Sequence, residues 1–382
     1  MTNNQAHIKI LQVCNTDFYL KKFLTPLVEA LITKGYDVEC LTEGSQHTDH
    51  LVAQGVTVHN FYFPSKPSPF EFIRAIHRMT KLLVSAEYHL VSSHNRNSSI
   101  VARIAAFRAN VPINLYTAHG FYFQDHQSPI TKKLVEIFEG ILAKITTFTL
   151  SQSNEDVIHM TGKKWIDPSQ ILFIGNGIDA DRFSPQTSSI PKTREIRICA
   201  SGRLVTGKGF EDILRAIAVS THRDNIEFLF IGGNIEQDIS SSADEFSLLI
   251  ERLGLQDHVT ITGMIDNVED YLNSSDLFIH PSYAEGMPRS LLEAMSTGLA
   301  CIATRIRGAR EIIDHEKNGL HYEPHDYTGL ATAIDRLIDD VELRTSLGLN
   351  ARQTILEQYQ EEDYIDRQVQ AIEELLHQKG FI

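Results

Sequence analysis

The sequence predicts an α/β protein of two Rossmann-like domains, each a doubly wound parallel sheet, that face one another across a cleft. Short apolar strands alternate with amphipathic helices through both halves, an alternation typical of parallel sheets built from βαβ units. A polar stretch with two prolines, residues 181–194, separates the halves. We therefore predict a first domain at residues 1–185, a second at residues 186–360, and a C-terminal helix at 361–382 that packs back toward the first domain.

The first half contains short runs of apolar and β-branched residues, which we interpret as buried strands. They span residues 8–13, 38–41, 56–63, 89–93, 113–118 and 147–151. Apolar residues at helical spacing predict helices at residues 18–34, 48–54, 70–85, 98–108 and 130–144. Residues 171–179 close this half of the chain.

The second half repeats the alternation. Its predicted strands span residues 196–200, 226–231, 259–262, 277–280, 300–304 and 320–322. Its predicted helices span residues 210–220, 242–253, 268–273, 327–347 and 361–378. A further helix is opened by Gly286 and Pro288, because proline fits a first helical turn, where its missing N–H has no intrahelical partner anyway.

Composition and charge exclude several classes of protein. The first residues show no secretory leader pattern, and no apolar run approaches the length of about 20 residues that spans a bilayer. The four cysteines lack paired spacing, which favours reduced thiols and a cytoplasmic location. Residues 1–185 carry a net charge of +1 and residues 186–382 a net charge of −15. This balance argues against nucleic-acid binding.

The segment Ser282–Met295 holds the first candidate site residues, Glu285 and Glu293. Glu285 lies in the loop after a predicted strand and Glu293 in the helix that follows. The loops at the carboxyl ends of parallel strands form the crevice where such sheets bind ligands. A pair of carboxylates also suggests the acid and base of a glycoside hydrolase.

A glycine-rich loop follows the first strand of the second half, at residues 201–210, S-G-R-L-V-T-G-K-G-F. Glycines let the backbone approach a ligand, and the start of the next helix offers free N–H groups to an anion. Arg203 and Lys208 can hold a diphosphate, arginine as a fork and lysine as a point charge. The loop matches neither the P-loop nor the dinucleotide-binding glycine pattern.

Together these motifs resemble the glycosyltransferases of family 4. The resemblance rests on G-R-L-x-x-x-K-G-F, on E-G-M-P-R-S-L-L-E, on R-G-A-R-E-I-I, on N-G-I-D from Asn176, and on T-A-H-G-F around His119. It covers nearly the whole chain and implies the two-domain GT-B fold. It also implies a retaining, metal-independent transferase that takes a sugar from a nucleotide-diphosphate donor, with UDP as the expected nucleotide and no cofactor.

Residue by residue, the resemblance implies that Arg203 and Lys208 bind the donor diphosphate and that Glu293 binds the ribose. Glu285 would face the transferred sugar, and His119 would contact that sugar from the first domain, so these two are the catalytic candidates. The two glutamates would then form a donor clamp rather than a hydrolytic pair. The remaining donor-binding candidates are Gly286, Met287, Pro288, Arg289, Ser290, Leu291, Gly263 and Met264.

The R-G-x-R-E form is similar to members that build cell-surface polysaccharides and glycans on polyprenyl diphosphate, which implies a lipid-linked saccharide acceptor. We expect this acceptor near Asn15, His94, Asn95 and Arg96 of the first domain. Basic and apolar helices of that domain, one of them with Lys132 and Lys133, would contact the inner face of the cytoplasmic membrane, or would be core helices with snorkelling cations.

Three alternatives stay open from the sequence. Asp179 and Asp181 form a D-x-D pattern that binds metal in other transferases. A sugar-nucleotide epimerase has the same two-domain fold but needs an additional acid/base pair, and it would convert a UDP-sugar without an acceptor. A catalytically silent nucleotide-sugar-binding protein would not need Glu285, Lys208 and His119 together.

Overall fold

The protein divides into two compact units in a computed structural model. Unit 1 comprises Met1–Gly175 together with Asp363–Ile382, and unit 2 comprises Asn176–Glu362. The structure describes residues 8–64, 68–121, 128–188, 190–233 and 243–382. Residues 1–7, searched above for a leader pattern, lie outside this description, as do Ser189 of the predicted linker and Ser242 at the start of a predicted helix.

The chain passes from unit 1 to unit 2 earlier than the sequence-based boundary between residues 185 and 186. It does so between Gly175 and Asn176. The boundary lies there because the apolar side chains of Ile178 and Phe183 pack into a core cluster of unit 2, which also contains Leu291. The segment after Gly175 is therefore part of the second unit rather than a loose connection.

Unit 1 contains, in its described residues, seven parallel strands in the spatial order β3-β2-β1-β4-β5-β6-β7. The strands are β1 (Lys9–Thr16), β2 (Asp37–Glu43), β3 (Thr57–Asn60), β4 (Leu90–His94), β5 (Ile113–Ala118), β6 (Phe148–Ser151) and β7 (Ile171–Phe173). The helices are α1 (Asp17–Tyr19), α2 (Thr25–Thr33), α3 (Asp49–Ala53), α4 (Pro69–Ala86), α5 (Arg96–Arg108), α6 (Pro129–Ala143) and α7 (Asn154–Gly162). The strand order reverses between β1 and β4, so the loops after these two strands diverge.

Both faces of the unit 1 sheet are buried. Successive residues of a strand point to opposite faces, so Ile10 packs with Leu27 of α2 while Leu11 packs with Ala105 of α5. This explains why the strands are continuous apolar runs instead of alternating apolar and polar residues.

The helix predicted at residues 18–34 is interrupted. The chain forms the short α1, then a π-helical turn at Leu20–Leu24, and then α2, which has Pro26 in its first turn. Proline lacks the N–H that a continuous helix would need at this position, and the Thr25 hydroxyl donates to the Leu20 carbonyl at 3.2 Å. Such single π turns are frequent at functional sites.

Unit 2 contains, in its described residues, six parallel strands in the order β10-β9-β8-β11-β12-β13. The strands are β8 (Ile196–Arg203), β9 (Ile226–Gly233), β10 (Val259–Ile261), β11 (Leu277–His280), β12 (Ala300–Thr304) and β13 (Leu320–Tyr322). The helices are α8 (Phe210–Val219), α9 (Ala243–Leu253), α10 (Val268–Asn273), α11 (Arg289–Ser296), α12 (Ala309–Ile312), α13 (Tyr327–Asp339) and α14 (Val341–Gln358). Here the order reverses between β8 and β11, and helices again cover both faces. The predicted fold class is confirmed.

The helix predicted at residues 327–347 is two helices. Asp340 ends α13 and starts α14, because its carboxylate accepts the Leu343 N–H at 2.8 Å as an N-terminal cap. Helix α14 continues to Gln358, beyond the predicted end. Helix α7 was not predicted at all.

The last helix, α15 (Glu361–Gln378), returns to unit 1 after Glu362. Its residues Ile365, Val369, Ile372 and Leu376 recur at helical spacing and pack in the same cluster as Leu31 of α2. It therefore completes the core on one face of the first sheet. Among the described residues, no helix is long and apolar enough to cross a membrane.

Replacing Ile372 by alanine should destabilise unit 1 by about 2–5 kcal/mol, because the fully buried side chain would leave a cavity. Trp165 is the only tryptophan of the chain and belongs to unit 1, so its fluorescence during denaturation follows that unit alone. The matched control is Glu374→Ala on the exposed side of α15, which should change the free energy of unfolding by less than about 0.5 kcal/mol. Equal, small changes in the two variants would contradict the packing described for α15.

Candidate functional site

In unit 2 the predicted residues Lys208 and Glu285 lie at the point where the strand order reverses. The loop Leu204–Gly209 follows β8, and the loop Pro281–Pro288 follows the neighbouring strand β11. Both loops leave the same carboxyl edge of the sheet. We call these two loops the switch-point site.

Glycines allow the loops around this site to touch through their backbones. Gly209 has φ of 68°, and a Cβ there would lie 2.2 Å from the Pro281 carbonyl oxygen. Gly308 has φ of 83°, and a Cβ there would lie 1.9 Å from the Gly286 carbonyl oxygen. Any side chain at either position would push the loops apart, so the glycines set the shape of the site.

An ion pair joins the two loops of the switch-point site. The Lys208 ammonium donates to Oε1 of Glu285, and Nε2 of His280 lies 3.9 Å from the same oxygen. Burial would raise the pKa of Glu285, but the attraction of Lys208, aided by His280, outweighs burial and holds this pKa below its ordinary value. Burial lowers the pKa of His280 to about 4. At neutral pH the site therefore holds the Glu285 carboxylate beside a neutral His280 imidazole.

Glu293 is 4% exposed on α11, where Oε1 lies 3.6 Å from Nε of Arg289. The Arg289 guanidinium also donates to the Gly177 carbonyl at 3.2 Å and to Oε1 of Glu361 at 2.8 Å. The sequence prediction placed Arg289 among donor-binding residues. The structure shows its guanidinium tying α11 to the two chain segments that lead into and out of unit 2.

The remaining predicted donor residues of the Pro281–Pro288 loop and α11 are mostly buried. The side chains of Met287 and Leu291 belong to a core cluster of unit 2, and Gly286 and Pro288 are buried as well. The Met287 carbonyl accepts from the Asn176 amide at 3.2 Å. The Ser290 hydroxyl lies 3.4 Å from Nδ1 of His280.

Arg203, Gly263 and Met264 lie at the same edge, on the β8-β9-β10 side. Arg203 ends β8 and is exposed, and Met264 is half exposed. Gly263 forms a β-bridge with Gly232, whose Cβ, if present, would lie 2.0 Å from the Gly202 carbonyl oxygen. Sequence reasoning missed Gly232, although the pair Gly232-Gly233 at the end of an apolar strand is the kind of signal that marks close backbone approach.

Two other residues at the switch-point site were missed. His280 is the last residue of β11, next to the Pro281–Pro288 loop, and the signal for it was a polar residue directly after the apolar run L-F-I. The Tyr283 hydroxyl donates to Oδ2 of Asp212 at 2.9 Å, and its backbone N–H donates to the Gly207 carbonyl at 3.0 Å. Tyr283 thereby fixes the Pro281–Pro288 loop to α8 and to the glycine loop.

The D-x-D pattern at Asp179 and Asp181 forms a turn. Oδ1 of Asp179 accepts the backbone N–H groups of Asp181 and Arg182 at 3.1 and 2.9 Å. Across the described parts of the chain, no three His, Cys, Asp or Glu residues are grouped so that they could hold a metal ion.

In unit 1 the predicted residues His119 and His94 lie together at the carboxyl edge. Oε1 of Gln12 accepts from Nε2 of His94 at 3.0 Å, and Nδ1 of His94 lies 3.2 Å from Nε2 of His119. The Tyr19 hydroxyl lies 2.8 Å from the same His119 nitrogen. Because the Gln12 oxygen can only accept, neutral His94 carries its proton on Nε2 and accepts at Nδ1.

Both histidines are held neutral. Burial lowers the pKa of His119 to about 4, and burial together with His119 keeps the pKa of His94 well below its ordinary value. The Gln152 amide contacts the His119 ring and donates to the Tyr364 hydroxyl of α15 at 3.1 Å. Tyr19 and Gln152 were not predicted from the sequence.

The predicted acceptor-side residues Asn15 and Asn95 join the end of β1 to the segment that follows β4. The Asn15 N–H donates to Oδ1 of Asn95 at 3.1 Å, and Oδ1 of Asn15 accepts the Ser98 N–H at 2.9 Å. Asn95 has φ of 61° and ψ of 165°, a backbone conformation that is uncommon outside glycine. Arg96 follows as the first residue of α5.

Two sequence profiles match the chain. The one described as "Glycosyl transferases group 1" matches residues 182–354, and the one described as "Glycosyl transferase 4-like" matches residues 9–153. Both halves of the chain thus match glycosyltransferase families, the first half a family 4-like domain and the second a group 1 domain, and the chain is a glycosyltransferase.

Two similar relatives act on lipid-linked substrates according to their names. The UDP-Gal:alpha-D-GlcNAc-diphosphoundecaprenol alpha-1,3-galactosyltransferase of Escherichia coli is 28% identical over 328 residues, 82% of each chain. The N,N'-diacetylbacillosaminyl-diphospho-undecaprenol alpha-1,3-N-acetylgalactosaminyltransferase of Campylobacter jejuni is 23% identical, over 89% of this chain and 91% of the relative.

The fold is that of solved glycosyltransferases. The structure of Anabaena HepE in complex with UDP and glucose matches with a TM-score of 0.79 at 19% identity, over 96% of this chain and 100% of the other. A glycosyltransferase from Rickettsia africae matches with a TM-score of 0.78 over 97% of this chain and 98% of the other. The expected GT-B fold is confirmed.

Acid should destabilise unit 1 between pH 6.5 and about 4, and His119 should account for part of this. In this window the unfolded chain holds a proton on His119 that the folded protein, with its pKa of about 4, does not. Stability therefore falls as pH falls. Replacing His119 by glutamine should reduce the slope of the free energy of unfolding against pH by up to about 1.4 kcal/mol per pH unit.

Trp165 fluorescence during urea titrations at several pH values measures this slope for unit 1. The control is His77→Gln, which replaces an exposed histidine on α4 of the same unit. A slope in His119→Gln equal to that of the unaltered protein would show that His119 is not held neutral by the fold.

Proposed function

We propose that the protein is a retaining glycosyltransferase that moves a hexosyl or N-acetylhexosaminyl group from a UDP-sugar to a lipid-linked saccharide. The product would serve cell-surface polysaccharide or glycan synthesis. Support comes from the names of the two relatives above and from the neighbour that binds UDP and glucose. The observation that carries the proposal is the Lys208–Glu285 pair at the switch point of unit 2.

The donor diphosphate would bind at the Leu204–Gly209 loop. Helix α8 starts at Phe210, and its N-terminal cap, Gly209, has no side chain to satisfy the first N–H groups. These groups, with Arg203 and Lys208, form a set of donors for an anion. Residues 186–382 carry a net charge of −15, which would repel a diphosphate. Binding would therefore depend on close and specific donors such as these.

The chemistry needs opposite charges on two sides of the sugar. The anomeric carbon gains positive charge while the diphosphate leaves with negative charge. Glu285 would face the sugar, and Lys208 would turn from Glu285 toward the leaving phosphate. His119 is the unit 1 residue that we assign to the transferred sugar, as a neutral imidazole. We propose no metal or cofactor, because Arg203 and Lys208 would compensate the charge of the leaving group.

Ribose would bind at Glu293. Arg289 contacts both Glu293 and Glu361, and it would thereby hold the Glu293 side chain in position. The nucleotide would therefore belong to unit 2. The saccharide acceptor would belong to unit 1, near the coupled Asn15 and Asn95 and near His94 and Arg96. We further propose that unit 1 contacts the inner face of the cytoplasmic membrane, where a polyprenyl-linked acceptor would be found.

Replacing Lys208 by alanine should weaken UDP binding about 10- to 100-fold, since a hydrogen bond to a charged group contributes roughly 1.5–3 kcal/mol. Calorimetric titration with UDP measures this. The matched control is Lys192→Ala, which removes another lysine of unit 2 that pairs with Asp276 at 2.6 Å, away from the site. Equal UDP affinity in Lys208→Ala and Lys192→Ala would falsify the assignment of Lys208.

The companion variant Glu285→Gln separates binding from turnover. It removes the carboxylate that holds Lys208, so UDP affinity should be unchanged or higher. The turnover number should fall about 100-fold, because the charge that faces the sugar is lost. A large loss of UDP affinity with normal turnover would reverse the roles given to the two residues.

The reaction itself is tested by incubating nucleotide sugars with polyprenyl-diphosphate saccharides and detecting products by mass. We expect one UDP-sugar to extend an acceptor, with the anomeric configuration of the donor kept in the product and activity unaffected by EDTA. Conversion of a UDP-sugar without acceptor would indicate an epimerase. If EDTA abolished activity and Mg²⁺ restored it, the proposal that Arg203 and Lys208 compensate the charge of the leaving diphosphate would be overturned.

A further inference from the structure

Helix α6 of unit 1 presents apolar side chains to solvent along one face. Their exposed fractions lie between 36% and 74%. They are Ile130, Leu134, Ile137, Phe138 and Ile141, which we call the α6 stripe. At 100° per residue these positions fall within one arc about 100° wide. Helices of soluble proteins normally turn such a face inward.

The α6 stripe is not a core face that has failed to pack. The opposite side of the helix is fully engaged, with Leu142 and Ala143 buried. Gly140 lies so close to Trp165 that a Cβ there would be 2.2 Å from the indole. The helix is thus held on unit 1 by its inner side, and the stripe points outward.

The acidic residues of α6 are both turned inward and paired. Glu139 is buried and accepts from Nη1 of Arg103 at 3.0 Å. Glu136 is buried and lies 2.8 Å from Nε2 of His159. The outer surface of α6 therefore carries no carboxylate, although the whole chain has a net charge of −14.

Cations accompany the stripe. Lys133 and Lys144 are exposed, and the helical angle of 100° per residue places both along one edge of the stripe. Nζ of Lys133 lies 5.3 Å above the Trp165 ring, which supports the lysine stem beside the apolar residues. Apolar side chains flanked by lysines are the composition of helices that lie in the plane of a membrane surface.

We propose that the α6 stripe docks unit 1 onto an anionic lipid surface. The apolar side chains would enter the boundary between head groups and acyl chains, and Lys133 and Lys144 would meet the negatively charged head groups. This rests on the proposed function, because a lipid-linked acceptor requires the enzyme at a bilayer. A second copy of this chain is a less suitable occupant. A symmetric contact along the stripe would use the same patch on both copies, and the lysines of one copy would then lie near the lysines of the other.

Flotation with vesicles tests the proposal. The purified full chain should float with vesicles that contain phosphatidylglycerol in phosphatidylcholine, and much less with phosphatidylcholine alone. The double variant Leu134→Glu/Ile141→Glu should lose vesicle binding by at least about tenfold. The control is Val84→Glu, which places one such carboxylate at an exposed aliphatic residue of α4 in the same unit and should bind as before.

Two further measurements separate this inference from the proposed function. Transfer to a water-soluble saccharide diphosphate should be unchanged in the double variant, and transfer to a vesicle-bound acceptor should fall with vesicle binding. If the protein transfers sugar but does not float, docking by α6 is overturned and the proposed function stands. If sedimentation shows a dimer that the double variant dissolves, the stripe is a contact between copies. Loss of binding in Val84→Glu as well would overturn the assignment to α6.

Discussion

A parallel sheet covered on both faces by helices can expose polar side chains to a ligand only at its edges. In each unit of this protein the strands are buried runs, and hydrophobic clusters lie on both sides of the sheet. The side chains with chemistry therefore collect where the strands end. His94 and His119 lie at the carboxyl edge of the first sheet, and His280, Lys208 and Glu285 lie at the carboxyl edge of the second. Both groups lie at or beside the reversal in strand order.

The ion pairs of the protein differ in what surrounds them. Arg103–Glu139 and Arg197–Glu227 have side chains that are at most 6% exposed, and they serve the interior of each unit. Removing one partner there would leave a buried charge unpaired, which is strongly destabilising. Lys208 and Glu285 remain 29% and 20% exposed. Water reaches both groups, so this pair is more easily broken and remade than the two interior pairs. The Arg289 contacts have a third role, since they hold the helix of Glu293 against the segments that enter and leave unit 2.

Local sequence patterns were sufficient to predict much of the fold. They were sufficient to predict less of the contacts within the candidate sites. The alternation of strands and helices, and the position of Glu285, Arg203 and Lys208 after strands, depend on short stretches that the sequence displays directly. The break between α13 and α14 depends on the cap at Asp340, and the π turn before α2 depends on Pro26. A periodic pattern of apolar residues obscures such effects of single residues. The partners within each site are remote in sequence: Arg289 and Glu361 are 72 residues apart, and Tyr19 and His119 are 100 apart. No local signal encodes such pairs, so the contact of the Arg289 guanidinium with Glu361 was not predicted from the sequence.

The placement of α15 also sets an order for biosynthesis. Unit 1 is assembled from the first and last parts of the chain, with all of unit 2 translated between them. The sheet of unit 1 leaves the ribosome early, but the side chains of Ile365, Val369 and Ile372 that cover one of its faces emerge last. Unit 2 can fold while that face is still open, and an exposed apolar face on a nascent chain invites aggregation. A premature stop after unit 2 would spare every residue of the switch-point site and still yield a protein with an uncovered core in unit 1.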